Sequence, residues 1–181
     1  MPPAAPRRVL AAVIAAVALF LASLVGASPA SATVPWSSLT IVQKQTYMAN
    51  AMFQMLNSER AAYHLAPLGG SPTLVKSALS HNLAMARYNM MSHQCPGEAS
   101  PGTRITQAGY HWRNWGENVG WTTNETIPGI QYMEQLMFGE KAPDNGHRLN
   151  ILGNYKAIGI SVYIDVKHGK MWYTQDFASP Y

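Results

Sequence analysis

The stretch DNGHRLNILG, residues 144–153, places one histidine on a short helical support. Asn145 can cap a helix through its side-chain oxygen, and Gly153 can end one in the left-handed conformation. We therefore predict a short helix between these two residues, with His147 in its first turn. The positive end of the helix dipole disfavours a protonated imidazole, so His147 is a candidate for chemistry as a neutral ring.

The amino-terminal residues have the pattern of a secretory signal peptide, which we assign to residues 1–32. Arg7 and Arg8 precede an apolar run over residues 9–25, and Ala30-Ser31-Ala32 matches a small-residue cleavage site. The run is short for a full membrane span, which favours cleavage over a retained signal anchor. We therefore expect a secreted, extracellular protein with no stable membrane span after cleavage.

The composition excludes some classes of protein. The chain has 13 Lys and Arg against 9 Asp and Glu, and two of the arginines lie in the signal peptide. No basic run follows, which argues against nucleic acid as a partner. The single Cys95 cannot form an internal disulfide. Stability must therefore come from packing, and ten Met with five Trp indicate an apolar, adaptable interior.

Hydrophobic periodicity predicts the first long helix. An exposed lead-in and the start of this helix occupy residues 33–45. The helix should end near His64, because the segment 66–70 contains proline and two glycines. The predicted buried stripe consists of Val42, Tyr47, Met48, Ala51, Met55 and Leu56.

A second long helix should begin at Ser71, a capping residue followed by Pro72 at the first helical position. It should continue to about Met91, so that His93 falls just past its end, where a side chain can turn into a cleft. His81 is expected to be a core or hydrogen-bonded histidine rather than a ligand. The predicted buried stripe consists of Leu74, Ala78, His81, Met85 and Tyr88.

The remaining chain contains shorter elements. Short helices are expected at 103–109 and 128–138, and a brief extended stretch at 116–121. Alternating apolar residues then predict two strands, 158–164 and 170–177, joined by a turn in which His168 is expected to be solvated. Helices early and antiparallel strands late indicate an α+β protein with helices packed on a small sheet.

Five short motifs are distributed along the chain. In their order and approximate spacing they resemble the CAP superfamily of cysteine-rich secretory, antigen 5 and pathogenesis-related proteins, and above all its short bacterial secreted members. The resemblance covers residues 48–177 and implies an SCP-like domain over 46–181. It also implies an α-β-α sandwich with a central antiparallel sheet flanked by helices, and a large cleft. The motifs are LNSER (56–60), HN (81–82) through MSH (91–93), GENVG (116–120), GHRLNIL (146–152) and YTQDF (173–177).

The resemblance also implies a set of two histidines and two glutamates in the cleft. Matched motif by motif, three of its members are His93, Glu117 and His147. Glu140 fits the family spacing best as the fourth member, and Glu134 is the alternative. Because the histidine pair can hold a divalent metal in this family, His93 and His147 are the expected ligands.

The chemistry of such a set follows from its residue types. Two neutral imidazoles suit zinc or a similar ion, but two protein ligands are fewer than at most zinc sites, so weak binding is expected. Neighbouring carboxylates can fix the tautomer of each imidazole. Without a metal, the same four groups could serve as an acid–base pair.

Three functions are compatible with the sequence. We favour a secreted domain whose cleft binds a divalent metal and a small ligand, lipid or cell-envelope component. The first alternative is a metal-dependent, peptidase-like hydrolase that uses the same four residues, and the second is an interaction domain with a vestigial site. The sequence has no G-x-S-x-G or H-E-x-x-H motif, and Cys95 near His93 is interpreted as incidental rather than as a nucleophile.

Overall fold

The computed structural model describes residues 35–181. The predicted signal peptide and its cleavage site lie outside the described residues. After a 3-10 turn at Trp36–Ser38, this part of the chain forms five α-helices and four β-strands. The helices are α1 (Ile41–Ala62), α2 (Pro72–Tyr88), α3 (Pro101–Ala108), α4 (Ile127–Gly139) and α5 (Gly146–Ile151). The strands are β1 (Gly69–Gly70), β2 (Trp112–Thr122), β3 (Ala157–Asp165) and β4 (Lys170–Pro180).

Helix α1 buries a narrower stripe than the sequence predicts. Thr40 and Gln43 form a capping box, in which the Thr40 side chain accepts a hydrogen bond from the Gln43 N–H at 3.2 Å. Val42 and Tyr47, both predicted to be buried, are 69% and 49% exposed. Val42 precedes the first buried turn, and Tyr47 lies one residue, about 100°, off the stripe. The buried residues recur every four positions: Met48, Met52, Leu56 and Arg60.

Helix α2 begins as predicted and ends early. The Ser71 side chain caps it and Pro72 is its first residue. The helix ends at Tyr88 rather than near Met91, because Asn89 takes the left-handed conformation with a φ of 48°. The prediction that Tyr88 is buried is wrong: it lies in the last turn and is 42% exposed. The other members of the predicted stripe, Leu74, Ala78, His81 and Met85, are buried.

The sheet has the strand order β1-β3-β4-β2, and its three long strands are antiparallel as predicted. The two residues of β1 pair in parallel with the start of β3, which makes the sheet mixed. Two residues carry no periodicity, so the sequence did not show this strand. Strand β2 begins before the predicted stretch 116–121, at Trp112, where it pairs with the extended end of β4 at Pro180.

The turn between β3 and β4 differs from its prediction. His168, expected to be solvated, has a side chain only 20% exposed. Its Nδ1 donates a hydrogen bond to Asp165 Oδ2 at 2.6 Å, because the turn folds the ring back onto the end of β3. His168 is therefore part of the hairpin structure.

Alternation along β4 separates two helical layers. Tyr173 and Phe177 pack in a core cluster with residues of α1 and α4. Trp172 packs on the opposite face with Met85 of α2. The predicted α-β-α sandwich is thereby confirmed, with α1, α4 and α5 in one layer and α2 and α3 in the other.

Candidate functional site

A cavity of about 580 Å³ lies beside β2, which is one of the two edge strands of the sheet. His93, Glu117, Glu140 and His147 all line this cleft. They come from both layers, since His93 follows α2, whereas Glu140 and His147 bracket the loop between α4 and α5. The structure therefore brings the four candidate residues together, while their chemical role stays a prediction.

The first histidine–carboxylate pair joins His93 and Glu117. The Nδ1 of His93 donates a hydrogen bond to Glu117 Oε1 at 2.8 Å. The Glu117 side chain is 1% exposed, whereas the His93 side chain is 57% exposed. A buried carboxylate thus holds a ring that reaches into the cleft.

Arg104 of α3 supports the first pair. Its guanidinium donates to Glu117 Oε2 and, at 3.0 Å, to the backbone oxygen of His93. One side chain therefore fixes both members of the pair. Sequence reasoning missed Arg104, although it is the one charged residue of α3. A buried arginine needs a carboxylate partner, but the sequence alone does not show that Arg104 is buried.

A second group of candidate ligands lies behind the first pair. The Nδ1 of His81 lies 2.9 and 3.0 Å from the two carboxylate oxygens of Glu98, and the Cys95 N–H donates to Glu98 Oε2 at 2.9 Å. The potential ligand atoms of His81, Cys95 and Glu98 all lie within 4.8 Å of one another, an arrangement that could hold a metal. The prediction that His81 is a buried, hydrogen-bonded histidine is confirmed.

Cys95 is buried and packs against apolar side chains. Burial, reinforced by the negative charge of Glu98, raises the pKa of its thiol. Because the thiolate is the nucleophilic form, this environment disfavours a Cys–His nucleophile. The interpretation of Cys95 as incidental to catalysis agrees with its position.

Asp176 lies on β4 directly opposite Glu117 on β2 and is completely buried. Burial, and then the charge of Glu117, raises its pKa well above the ordinary value. Asp176 therefore favours the protonated form, which adds no second negative charge beneath the first pair.

The second histidine–carboxylate pair joins His147 and Glu140. One Glu140 oxygen contacts the His147 Nδ1, and the other accepts a hydrogen bond from the His147 backbone N–H at 3.0 Å. Glu140 thus caps α5 and holds the ring. The prediction that Asn145 caps this helix through its side chain is wrong, because that side chain makes no capping hydrogen bond.

The carboxyl end of α5 also differs from its prediction. Gly153 does not take the left-handed conformation. Instead Arg60 of α1 donates to the backbone oxygens of Ile151 and Gly153, at 2.7 and 2.9 Å. A Cβ at Gly153 would lie 2.5 Å from the ring of Tyr155, so close packing requires this glycine.

Glu134, the alternative to Glu140, lies in the core. Its side chain is completely buried and accepts a hydrogen bond from Gln175 Nε2. Glu140 lines the cleft and Glu134 does not. The six-residue step from Glu134 to Glu140 thus moves a carboxylate from the inner face of α4 to its carboxyl end.

Two asparagines connect the pairs. Asn118 Nδ2 donates to the backbone oxygen of His147 at 3.2 Å, and Asn150 Nδ2 donates to that of Glu117 at 3.1 Å. Asn150 Nδ2 also donates to Asn118 Oδ1 at 2.8 Å. The sequence contains both asparagines in the motifs, but nothing in the spacing indicated that they join β2 to α5.

The geometry of both rings suits a metal ligand. In each pair the carboxylate engages Nδ1, which leaves Nε2 as the nitrogen that can coordinate. Metal-binding histidines commonly have such a carboxylate on the other ring nitrogen. His93 and His147 are therefore suited to hold a divalent ion, which would supply positive charge and open coordination positions in the cleft.

Solved structures define the class of this fold as the SCP domain. An extracellular SCP-domain protein of Bacillus anthracis str. Ames has a TM-score of 0.64 and 23% identity, covering 78% of this chain and 44% of that chain. An outer surface protein of Borrelia burgdorferi has a TM-score of 0.64 and 12% identity, and the match covers 75% of this chain and 94% of that chain. A cysteine-rich secretory protein of Staphylococcus aureus subsp. aureus Mu50 has a TM-score of 0.55 and 20% identity, and the match covers 76% of this chain and 40% of that chain. Identities this low establish the fold alone.

The family follows from the sequence comparison. Residues 53–177 match the sequence model of the Cysteine-rich secretory protein family, CAP, and the chain belongs to this family. It is 31% identical over 156 residues to the uncharacterized protein YkwD of Bacillus subtilis (strain 168), covering 83% of this chain and 55% of YkwD. The chain thus spans about half the length of this relative. The predicted resemblance is confirmed.

Among residues 35–181, no helix combines the length and the apolar character that crossing a membrane requires.

Proposed function

We propose that this chain is exported after cleavage behind Ala32 and that its CAP domain, residues 46–181, binds a divalent metal such as zinc through His93 and His147. The remainder of the cleft would then receive a small ligand, a lipid or a cell-envelope component. The observation that carries the proposal is the matched pair of rings in one cleft, each with a carboxylate on Nδ1. The coordinating atoms are the two Nε2 nitrogens.

The expected affinity for the metal follows from the number of protein side chains that coordinate it. Two imidazoles without a third firm protein ligand support weaker binding than a structural zinc site. Binding should weaken as the pH falls, because a protonated imidazole cannot coordinate. A ligand group that brings its own oxygen could then complete the coordination of the ion.

The other lining residues favour a ligand with hydrogen-bonding groups. Asn118, Asp144 and Asn150 offer polar side chains, and Leu149, which is 62% exposed, adds an apolar surface at the cleft. The related structures include an extracellular protein and an outer surface protein. These names support an envelope component as the ligand class for this chain.

Calorimetry with zinc on the mature protein tests the metal site. We expect one site at neutral pH that is lost in both His93→Ala and His147→Ala. His111→Ala is the matched control, because His111 is exposed and lies outside the cleft. Zinc binding unchanged in both cleft variants would reject the shared site and favour a vestigial one.

Turnover assays separate binding from hydrolysis. We expect little hydrolysis of generic peptide or ester substrates, because the sequence has no nucleophile motif such as G-x-S-x-G and the thiol near the cleft is buried. Zinc-dependent turnover that disappears in Glu117→Ala would favour a hydrolase function over a binding function.

A further inference from the structure

A directional chain of hydrogen bonds leads from the cleft into the core. Asn150 Nδ2 donates to Asn118 Oδ1 at 2.8 Å, and Asn118 Nδ2 donates to Gln175 Oε1 at 2.9 Å. Gln175 Nε2 then donates to Glu134 Oε2. Asn118 and Gln175 each accept from the cleft side and donate inward, and Glu134 is the last acceptor of the chain.

Glu134 is paired with a second acidic side chain, Glu59 of α1. Each of the two carboxyl groups shifts the pKa of the other, so the two side chains lie in contact. Within residues 35–181, no N–H donor reaches Glu59 Oε2 or Glu134 Oε1, and both atoms are buried. Two ionised carboxylates in such contact would repel strongly in the low dielectric of the core, and one proton between them removes that repulsion.

Glu134 is completely buried whereas Glu59 is half-buried, so burial favours the proton on Glu134. Burial raises the pKa of Glu134 well above its ordinary value, and the charge of Glu59 raises it further. Burial also raises the pKa of Glu59, to about 7, while Arg148 of α5 favours its ionised form. Burial also raises the pKa of Tyr173 of β4.

We propose that Glu134 keeps a proton that it donates to Glu59, and that this acid pair positions the cleft. A protonated Glu134 can donate to Glu59 with one oxygen and accept from Gln175 with the other. The amide chain then presents Asn118 Nδ2 to the backbone oxygen of His147 and Asn150 Nδ2 to that of Glu117.

If the side-chain amides of Asn118 and Asn150 were turned around, the oxygen of each would face a backbone oxygen. Both hydrogen bonds would then be lost and replaced by repulsion. Glu134 and Glu59 are thus positioning residues that act on both histidine pairs without touching the ligand. The effect on metal affinity rests on the proposed function, whereas the proton and the amide orientation do not.

Two variants at one position separate the proton from the charge. Glu134→Gln reproduces the protonated acid, because its amide nitrogen can donate to Glu59 and its oxygen can accept from Gln175. Glu134→Leu keeps a similar volume and removes the acceptor. The matched control is Glu125→Gln, which removes one charge just before α4, outside the chain of amides.

The readouts are the side-chain amide resonances of Asn118 and Asn150 from pH 5 to 9, carboxyl resonances of the glutamates, and zinc affinity. In the parent, Glu59 should titrate near neutral pH while Glu134 stays protonated. Glu134→Gln should keep zinc affinity within about twofold of the parent, and Glu134→Leu should weaken it about tenfold or more and shift both amides. Glu125→Gln should behave as the parent.

Several results would overturn the inference. Titration of both Glu59 and Glu134 near their ordinary pKa would show that no proton is retained. Amide resonances unmoved by Glu134→Leu, or a Glu134→Gln variant as impaired as Glu134→Leu, would remove the positioning role. If the parent binds no zinc, the proposed function fails, and the carboxyl and amide titrations still decide the inference. They also decide it if Glu134→Leu does not fold.

Discussion

The two histidine–carboxylate pairs of the cleft hold their rings alike and are supported differently. His93 and Glu117 are 24 residues apart in the sequence, and the Glu117 side chain is 1% exposed and bound by Arg104. His147 and Glu140 are seven residues apart, and their side chains are 35% and 24% exposed. The first pair depends on long-range packing, whereas the second is a local helix cap.

This difference determines how each half of the cleft should respond to change. Removing one partner of a buried ion pair leaves the other charge without compensation, which is strongly destabilising. A partly exposed carboxylate at a helix start contributes less, and salt screens its contribution. Changes in the first pair should therefore destabilise the whole fold. Changes in the second pair should mainly affect the local structure at the start of α5.

The largest expected effect is that of Arg104→Ala. It leaves the buried Glu117 and the partly buried Glu98 without their guanidinium partner, so we expect a loss of about 3–5 kcal/mol in the free energy of unfolding. Urea denaturation measures this loss. Arg113→Ala, at an exposed position of β2, is the control and should change little. A loss below about 1 kcal/mol for Arg104→Ala would mean that the first pair does not depend on this arginine.

An intermediate effect is expected for Glu140→Gln. The variant weakens the cap at the start of α5, and we expect a loss of about 1 kcal/mol in the free energy of unfolding. The loss should shrink when urea denaturation is repeated at high salt. A loss as large as that of Arg104→Ala, and independent of salt, would contradict the description of this pair as local.

The smallest effect is expected for Asn145→Ala. Its side chain makes no capping hydrogen bond, so stability should change by less than about 0.5 kcal/mol. Thermal unfolding of this variant beside Glu140→Gln gives a direct comparison of the two possible caps. If Asn145→Ala loses as much as Glu140→Gln, then Asn145 caps α5 in solution.

Local patterns predicted the parts of the fold that are local in cause. Ser71 and Pro72 start α2 because capping and the fixed φ of proline act within one turn. The strands at 158–164 and 170–177 are visible in the sequence because the side chains on one face of a strand recur at every second position. The motif resemblance placed His93, Glu117, Glu140 and His147, all of which line the cleft.

The missed features depend on residues far apart in the sequence. The end of α5 is capped by Arg60, 91 residues before Ile151, rather than by Gly153. Arg104 reaches Glu117 from another layer, and Glu134 meets Gln175 across 41 residues. No periodicity records such contacts, because they arise only when the sheet and both helical layers are assembled.

The central claim is that His93 and His147 hold one metal ion between the two layers. Anomalous diffraction from zinc-soaked crystals of the mature protein tests it directly. We predict a single strong peak about 2.0–2.1 Å from Nε2 of both rings. A peak at His81, Cys95 and Glu98 with none in the cleft, or zinc bound to one ring without the other, would contradict the account.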